Sequence, residues 1–297
     1  MKTCFITGDT GFVGKNLKSF FFKSFIFFPY SKDDNLIIEQ ELVLHIAGKA
    51  HDFKKTKIPH EYYNVNTELT KKVFDAFLDS KAVVFITISS VKAIAESFKG
   101  ILTEDEIPNP KTHYGKSKLL AEQYMLSKYI PEGKRVYILR PCMIHGPGNK
   151  GNLNLLYKMV SKGLPWPLGS FDNKRSFCSI DNLMFIIKEL INREDIPSGV
   201  YNVADDEVLS TNEVISLLAL SQNKKPKIWI LPKGLINVLA KLGDLLRLPL
   251  TTERLQKLTE SYMVSNLKIK SAIGKNLQVS ATEGLLKTFN SFHINAK

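Results

Sequence analysis

The apolar run Cys4-Phe5-Ile6-Thr7 leads directly into Gly8-Asp9-Thr10-Gly11-Phe12-Val13-Gly14, and this junction constrains the fold more than any other feature. A strand that ends at Thr7 must turn sharply into a helix that begins near Gly11. Gly8 can take the positive φ such a turn requires. Gly11 admits a pyrophosphate without meeting a Cβ, and Gly14 lets the helix lie close to the strand. The next residues, Val13, Leu17, Phe20 and Phe21, carry an apolar stripe at helical spacing. The helix start then offers unpaired N–H groups and a partial positive charge to phosphates. The plain alternative is a glycine-bearing strand-helix turn with no ligand.

A second feature makes the first one chemical. Ser90 ends the apolar run Phe85-Ile86-Thr87-Ile88-Ser89, and Tyr114 stands in Tyr114-Gly115-Lys116-Ser117-Lys118. Moving a hydride at a carbinol requires a group that moves the hydroxyl proton in step. A free phenol titrates near 10 and is a poor base at neutral pH. Lys118 follows Tyr114 by one helical turn on the same face. A charge about 4.5 Å from a phenolate contributes roughly 3–4 kcal/mol at an effective dielectric near 20, equal to about two to three pKa units. The reading is therefore a nicotinamide-dependent enzyme with Tyr114 as acid/base, Lys118 tuning it and Ser90 orienting the reacting oxygen. Ser89 is the rival for Ser90, and His113 is next in line after Tyr114. No His/Asp pattern accompanies either serine, so a nucleophilic role is disfavoured.

These blocks, in this order, resemble the extended, sugar-nucleotide branch of the short-chain dehydrogenase/reductase superfamily. Leu42-Val43-Leu44-His45-Ile46-Ala47-Gly48, Asn64-Val65-Asn66-Thr67, Leu139-Arg140-Pro141, His145-Gly146-Pro147-Gly148 and Tyr201-Asn202-Val203-Ala204 continue the match. The resemblance implies NAD or NADP bound by Gly8, Gly11, Phe12, Val13, Gly14, Ala47 and Gly48. It implies that Lys118 also holds the nicotinamide ribose and that Asn66 supports the site. Asn152, Leu153, Leu168 and Gly169 match segments near a nucleotide base, and Arg175 matches an arginine on the nucleotide diphosphate, where a forked guanidinium suits phosphate. An unremarkable surface charge is the alternative for Arg175. Dehydratases of this kind carry an Asp-Glu pair after the strand-end threonine; here Val91-Lys92 stands in its place, which disfavours dehydration.

The activity so implied is NAD(P)-dependent chemistry at C4 of a nucleotide-linked hexose. It would be a UDP-sugar 4-epimerase or a 4-ketoreductase serving surface polysaccharide synthesis. A related oxidoreductase on a non-nucleotide or lipid-linked sugar, and a non-catalytic NAD(P) sensor, are the alternatives. NAD is favoured if Asp33 or Asp34 meets the adenosine ribose, and NADP if Tyr30-Ser31-Lys32 does.

The expected architecture is α/β: a Rossmann-like doubly wound parallel sheet with a smaller, mostly helical C-terminal lobe. Residues 1–148 form the cofactor domain, with 176–204 returning to its sheet; 149–175 and 205–297 form the substrate lobe. Only 13 residues separate Phe28 from Leu42, so one crossover is trimmed, with Leu36-Ile37-Ile38 supplying at most a short strand. In Gly234–Leu248 the stripe Leu235, Ile236, Leu239, Leu242, Leu246 is expected to be a core face; a helix resting on a membrane is the alternative.

The formal charge of +12 suits anionic ligands. Small clusters at Lys54-Lys55 and Lys224-Lys225 read as solvated faces, and no basic-aromatic interleaving supports nucleic acid. The odd, scattered Cys4, Cys142 and Cys178 argue against a disulfide framework or a metal site, and no apolar stretch reaches spanning length. Met1 runs straight into the first strand, leaving no room for a secretory signal. A cytoplasmic protein without stable membrane insertion follows, and a homodimer is compatible with it.

Overall fold

The computed structural model describes residues 1–31, 36–50, 59–149, 151–246 and 250–294. Asp33, Asp34, Lys32, Lys54, Lys55, Arg247 and Leu248, on which some expectations rested, lie outside the described residues.

The first half alternates strands and helices: β1 (Lys2–Thr7), α1 (Phe12–Phe21), β2 (Phe25–Pro29), β3 (Leu42–His45), α2 (His60–Tyr63), α3 (Leu69–Asp79), β4 (Val84–Ile88), β5 (Ile101–Leu102), α4 (His113–Leu126) and β6 (Arg135–Pro141). There follow β7 (Met143–His145), α5 (Asn152–Ser161), β8 (Arg175–Ser179), α6 (Ile180–Asn192), β9 (Gly199–Val203) and β10 (Val208–Leu209). The chain closes with α7 (Thr211–Ser221), α8 (Lys233–Leu246), α9 (Thr252–Thr259), β11 (Met263–Val264), α10 (Leu267–Ile273) and α11 (Ala281–Ile294).

Six parallel strands make the main sheet in the order β2-β1-β3-β4-β6-β9. The alternation of their side chains builds two cores. Cys4, Ile6, Leu42, Leu44, Val84, Ile86, Tyr137 and Leu139 face α1 and α6 through Leu17, Phe21, Leu183 and Ile187. Phe5, Val43, Phe85, Val136 and Ile138 face α3 and α4 through Val73, Phe74, Phe77 and Met125. Burial on both faces explains why these strands read as continuous apolar runs in the sequence. Among the described residues no strand lies between β2 and β3, as the short connection led one to expect, and β2 is the edge of the sheet, with Ile26 and Phe28 half-exposed.

Of the expected return of residues 176–204 to the sheet, only β9 arrives there. β8 instead pairs with β7 and β10 in a separate three-stranded sheet, because β7 diverges from β6 after Pro141 and carries β8 with it. Beyond it, α5, α7, α8, α9 and α11 gather around a third core that includes Tyr157, Trp166, Leu218 and Phe289. Helix α7 starts where a reciprocal cap sets it: Ser210 Oγ accepts from Glu213 N at 3.1 Å, and Ser210 N donates to Glu213 Oε2 at 2.7 Å.

The expectation for the α8 stripe is overturned. Ile236, Ala240 and Gly243 are the buried residues, while Leu235, Leu239, Leu242 and Leu246 are exposed. The core is reached by the small-residue side of the helix. The Cβ of any residue at 243 would collide with the Leu250 carbonyl oxygen at 1.7 Å, so Leu250, just before α9, packs directly on the helix backbone there. The leucine side is left facing outward.

Candidate active site

The three loop glycines do different work. Gly8 adopts φ +71°, and a Cβ there would lie 2.6 Å from Ala47 N. A Cβ on Gly14 would lie 2.2 Å from Gly8 O and 2.6 Å from Asp9 Cα. Both absences are consumed by the fold itself. A Cβ on Gly11 would find only Gly8 O, at 3.2 Å, so the protein leaves that space free. Gly11 is also the N-cap of α1 and supplies no side-chain cap. The first-turn N–H groups thus point into a crevice, at the switch point where the chain leaves β1 for β2 on one side and β3 lies on the other. These residues fit a dinucleotide pyrophosphate. Phe12 and Val13, just inside the helix, are partly buried against the sheet core.

From the carboxyl end of β3 come Ala47 and Gly48, the second wall of that crevice. Gly48 faces Lys118: a Cβ at 48 would stand 3.0 Å from Lys118 Nζ and 3.5 Å from Asn66 Oδ1. Asn66 sits in a π-helical turn, Asn64–Glu68, spliced between α2 and α3. Such turns are frequent at functional sites because the extra residue redirects a side chain. Here Asn66 Oδ1 accepts from Lys49 N at 2.8 Å, and its Nδ2 donates to Lys49 O at 3.1 Å and to Ser117 Oγ at 3.0 Å. Ser117 Oγ in turn donates to Tyr114 O at 2.8 Å, and Thr67 Oγ1 donates to Ser117 O at 2.8 Å. The asparagine therefore clamps the β3 loop to the first turn of α4.

That first turn carries Tyr114. Thr112 is its N-cap and accepts from Gly115 N at 3.1 Å. Glu96, which the sequence did not flag, accepts from Thr112 N at 2.9 Å, Thr112 Oγ1 at 2.6 Å and Lys111 N at 2.7 Å. Desolvation pushes its carboxyl up, but these hydrogen bonds outweigh it and leave the group below its usual value. The carboxylate fixes the start of the helix. Gly115 was the available clue: a Cβ there would meet Lys92 O at 2.4 Å, so the segment after β4 is seated on this turn.

The Ser90 hydroxyl lies close enough to Tyr114 to act on its phenol, favouring the ionised form against burial. Ser90 Oγ accepts from Lys92 N at 3.2 Å, which leaves its own hydrogen for the phenol oxygen. Ser89 points the other way and donates to Glu122, a buried carboxylate that Arg140 grips through Nε at 3.1 Å and Nη2 at 2.6 Å. The choice between the serines is thereby decided for the geometry: Ser90 faces the tyrosine. His113 is exposed, with Nδ1 3.0 Å from Tyr63 Oη, away from the serine.

The Lys118 ammonium donates to Ile88 O at 2.8 Å. Burial raises the phenol above its ordinary value; the Ser90 hydrogen bond opposes this, and Tyr62 and Glu122 add to it. Burial also brings Lys118 down to about 8, with Glu122 offsetting part of the loss. The lysine is thus still mostly charged at neutral pH, and the tyrosine is a protonated acid.

Arg175, at the start of β8, is no free surface charge. Its Nε donates to Glu260 O at 3.1 Å and its Nη2 to Lys257 O, so it is anchored on the end of α9. Enclosure lowers the pKa of Lys92; Lys257 and Arg175 act in the same direction and Glu96 against it, although the lysine keeps contact with solvent. Two distant cations, Arg175 and Lys257, thus act on Lys92, two residues after Ser90, a juxtaposition only the tertiary fold reveals. Asn152 is exposed at the first position of α5. Leu153 is buried in the third core, so its side chain is spent on packing and only its backbone is left for a ligand. Leu168 is buried there too, and a Cβ on Gly169 would strike Trp229 O at 2.8 Å.

Residues 34–204 match the model of the NAD dependent epimerase/dehydratase family. The UDP-glucose 4-epimerase of Vibrio cholerae is 31% identical, over 98% of this chain and 95% of its own. The N-acetyl-alpha-D-glucosaminyl-diphospho-ditrans,octacis-undecaprenol 4-epimerase of Escherichia coli O157:H7 is 27% identical, over 86% of this chain and 78% of its own. In fold, the chain is similar to the UDP-glucuronic acid 4-epimerase from Bacillus cereus, solved in complex with NAD. The TM-score is 0.77 at 18% identity, over 99% of this chain and 100% of that one.

Proposed function

The chain belongs to the NAD-dependent epimerase/dehydratase family, and we propose that it catalyses NAD(P)-dependent chemistry at C4 of a UDP-linked hexose, epimerisation first among the choices. The observation that carries this reading is the grouping of Ser90 with Tyr114 one helical turn from Lys118, whose ammonium lies against Gly48 of the β3 loop, beside the open space at Gly11. Gly8, Gly11, Phe12, Val13, Gly14, Ala47 and Gly48 would hold the dinucleotide, with Lys118, pressed against Gly48, next to its ribose. The nicotinamide, when bound, takes up or gives back the hydride at C4.

Everything else falls to the chain. In the reduction half Tyr114, which burial favours as the phenol, donates its proton to the C4 oxygen as hydride arrives; in the oxidation half, with which epimerisation opens, its phenolate accepts the C4 hydroxyl proton as hydride leaves. Ser90 keeps both oxygens in line. The Lys118 ammonium, fixed by Ile88 O, stabilises negative charge that develops nearby without needing to move. Val91, at a position where a dehydratase needs an acid or base, is buried in a cluster with Ile94, Leu102 and Val264, and this supports leaving dehydration out.

Arg175, Lys92 and Lys257 form the cationic side of the cleft and suit the diphosphate of a nucleotide sugar. Residues 1–148 with β9 would be the cofactor part, and the third core the substrate lobe. Cys4, Cys142 and Cys178 are all free thiols, which suits a reducing cytoplasm. Among the described residues no helix is long and apolar enough to cross a membrane.

The test is incubation with UDP-glucose and UDP-N-acetylglucosamine without added reductant. Interconversion of C4 epimers is expected. Inert UDP-hexoses, with turnover of a UDP-4-keto sugar at the expense of NAD(P)H, would assign the reductase instead. Inactivity on all of them would overturn the UDP-sugar reading.

A further inference from the structure

Residues 224–246 combine two properties of a segment that docks on an anionic, apolar-cored surface. The first is apolar exposure. Trp229 is 57% exposed and Ile230 79%, and on α8 Leu235, Val238, Leu239, Leu242, Leu245 and Leu246 are between 44% and 77% exposed. At helical spacing these six α8 residues fall on one continuous arc, next to the narrower arc of Ile236, Ala240 and Gly243 that meets the core. The apolar side of α8 thus extends well beyond what the fold buries, and no intramolecular partner covers the remainder among the described residues.

The second is charge. The same stretch carries Lys224, Lys225, Lys227, Lys233 and Lys241 against a single acid, Asp244. Asp244 is occupied, since its carboxylate accepts from Thr252 N at 3.1 Å and Thr252 Oγ1 at 2.7 Å. Lys224, Lys225 and Lys227 also line a cleft of about 320 Å³ whose floor is apolar: Val160, Leu164 and Ile215. On α8 itself the lysines and Asn237 occupy the polar strip, so the helix has an apolar arc flanked by cations. A helix of this make-up lies in the headgroup region of a bilayer, with its apolar side in the acyl boundary and its lysines at the phosphates. A second copy of this chain would bring the same five lysines against themselves, whereas an anionic lipid surface complements them.

We propose that α8 and the exposed Trp229-Ile230 segment before it dock this protein, reversibly and without spanning, on an anionic phospholipid surface. The face belongs to the same lobe as Arg175: α8 packs on α9, whose last carbonyls hold the Arg175 guanidinium. Docking there sets the cationic side of the candidate cleft one helix away from the lipid phosphates. The proposal stands independently of the sugar reading, since none of its residues takes part in the candidate site.

The experiment is sedimentation of the full chain with vesicles of phosphatidylcholine alone or with phosphatidylglycerol. Tryptophan emission is followed in parallel; Trp166 is already buried, so a blue shift reports Trp229. Binding to the phosphatidylglycerol vesicles is expected, weaker by at least about tenfold on neutral vesicles or in 0.5 M salt. The emission should shift in wild type and not in Trp229→Phe. Leu242→Glu/Leu245→Glu, at two exposed positions, should keep its melting temperature and its activity while losing vesicle binding. Wild type that ignores anionic vesicles, or a double variant that binds them as well as wild type, would overturn the proposal. So would a wild-type dimer that does not bind vesicles and that the double variant converts to monomer; the face would then be an interface between copies.

Discussion

Lys118 keeps an ammonium inside the protein, and its cost is open to measurement. The folded pKa near 8 lies below the ordinary 10.5 because burial disfavours the charged form. Between those values the unfolded chain binds a proton that the folded protein has released, so stability rises with pH across that window. At pH 7 both states are protonated, and the folded one carries the penalty of about 2.5 units at 1.36 kcal/mol each, roughly 3 kcal/mol. By pH 10.5 almost all of it is relieved. Other titrations, including the raised Tyr114 and Cys142 groups, overlap this window, so the measurement must be a difference.

Lys118→Met retains the apolar stem and removes the charge. It also leaves Ile88 O without its 2.8 Å donor, a loss that does not vary with pH. Urea unfolding of both proteins from pH 7 to 10.5 should show wild type gaining about 3 kcal/mol relative to the variant. The variant should be inactive throughout, while wild-type activity declines above pH 8 as the ammonium is lost. A stability difference that stays flat, or that falls with pH, would refute the assignment of a strained buried charge to Lys118.

Tyr114→Phe should lower turnover by about 10²–10⁴-fold with cofactor affinity retained, measured by steady-state kinetics and fluorescence titration, because only proton movement is removed. Gly11→Val should fold and lose cofactor, since its Cβ meets only Gly8 O at 3.2 Å, whereas Gly14→Val should fail to fold, with Gly8 O 2.2 Å from the new Cβ. Circular dichroism with cofactor titration separates the two. Arg140→Met strands the Glu122 carboxylate in the interior and should cost about 3–5 kcal/mol in chemical unfolding. Arg175→Ala should weaken UDP binding about tenfold or more in calorimetry while leaving NAD(P) affinity unchanged.

Some of this was legible in the residues because it is local. A positive φ at Gly8, the close approach at Gly14 and the one-turn spacing of Tyr114 and Lys118 are properties of a few consecutive residues, and any fold containing them must respect them. The parallel sheet was legible for a related reason: strands buried on both faces are apolar throughout, whatever covers them. The shortness of the crossover between β2 and β3 followed from chain length alone.

What remained hidden depends on partners distant in the chain. Ser89 and Ser90 are indistinguishable by type, and only the Glu122–Arg140 pair behind the sheet claims one and leaves the other to Tyr114. The spacing of Lys118 placed it one turn from the phenol, but that its ammonium donates to the Ile88 carbonyl is visible only in the fold. Glu96, Lys92 and Lys257 join the cleft from segments that share no motif. The leucine stripe of α8 had the period of a core face, but a period states only that one side is apolar. Whether that side is covered is decided by the elements packed against it, and here the backbone of Leu250 seats on Gly243 and leaves the leucines to the solvent.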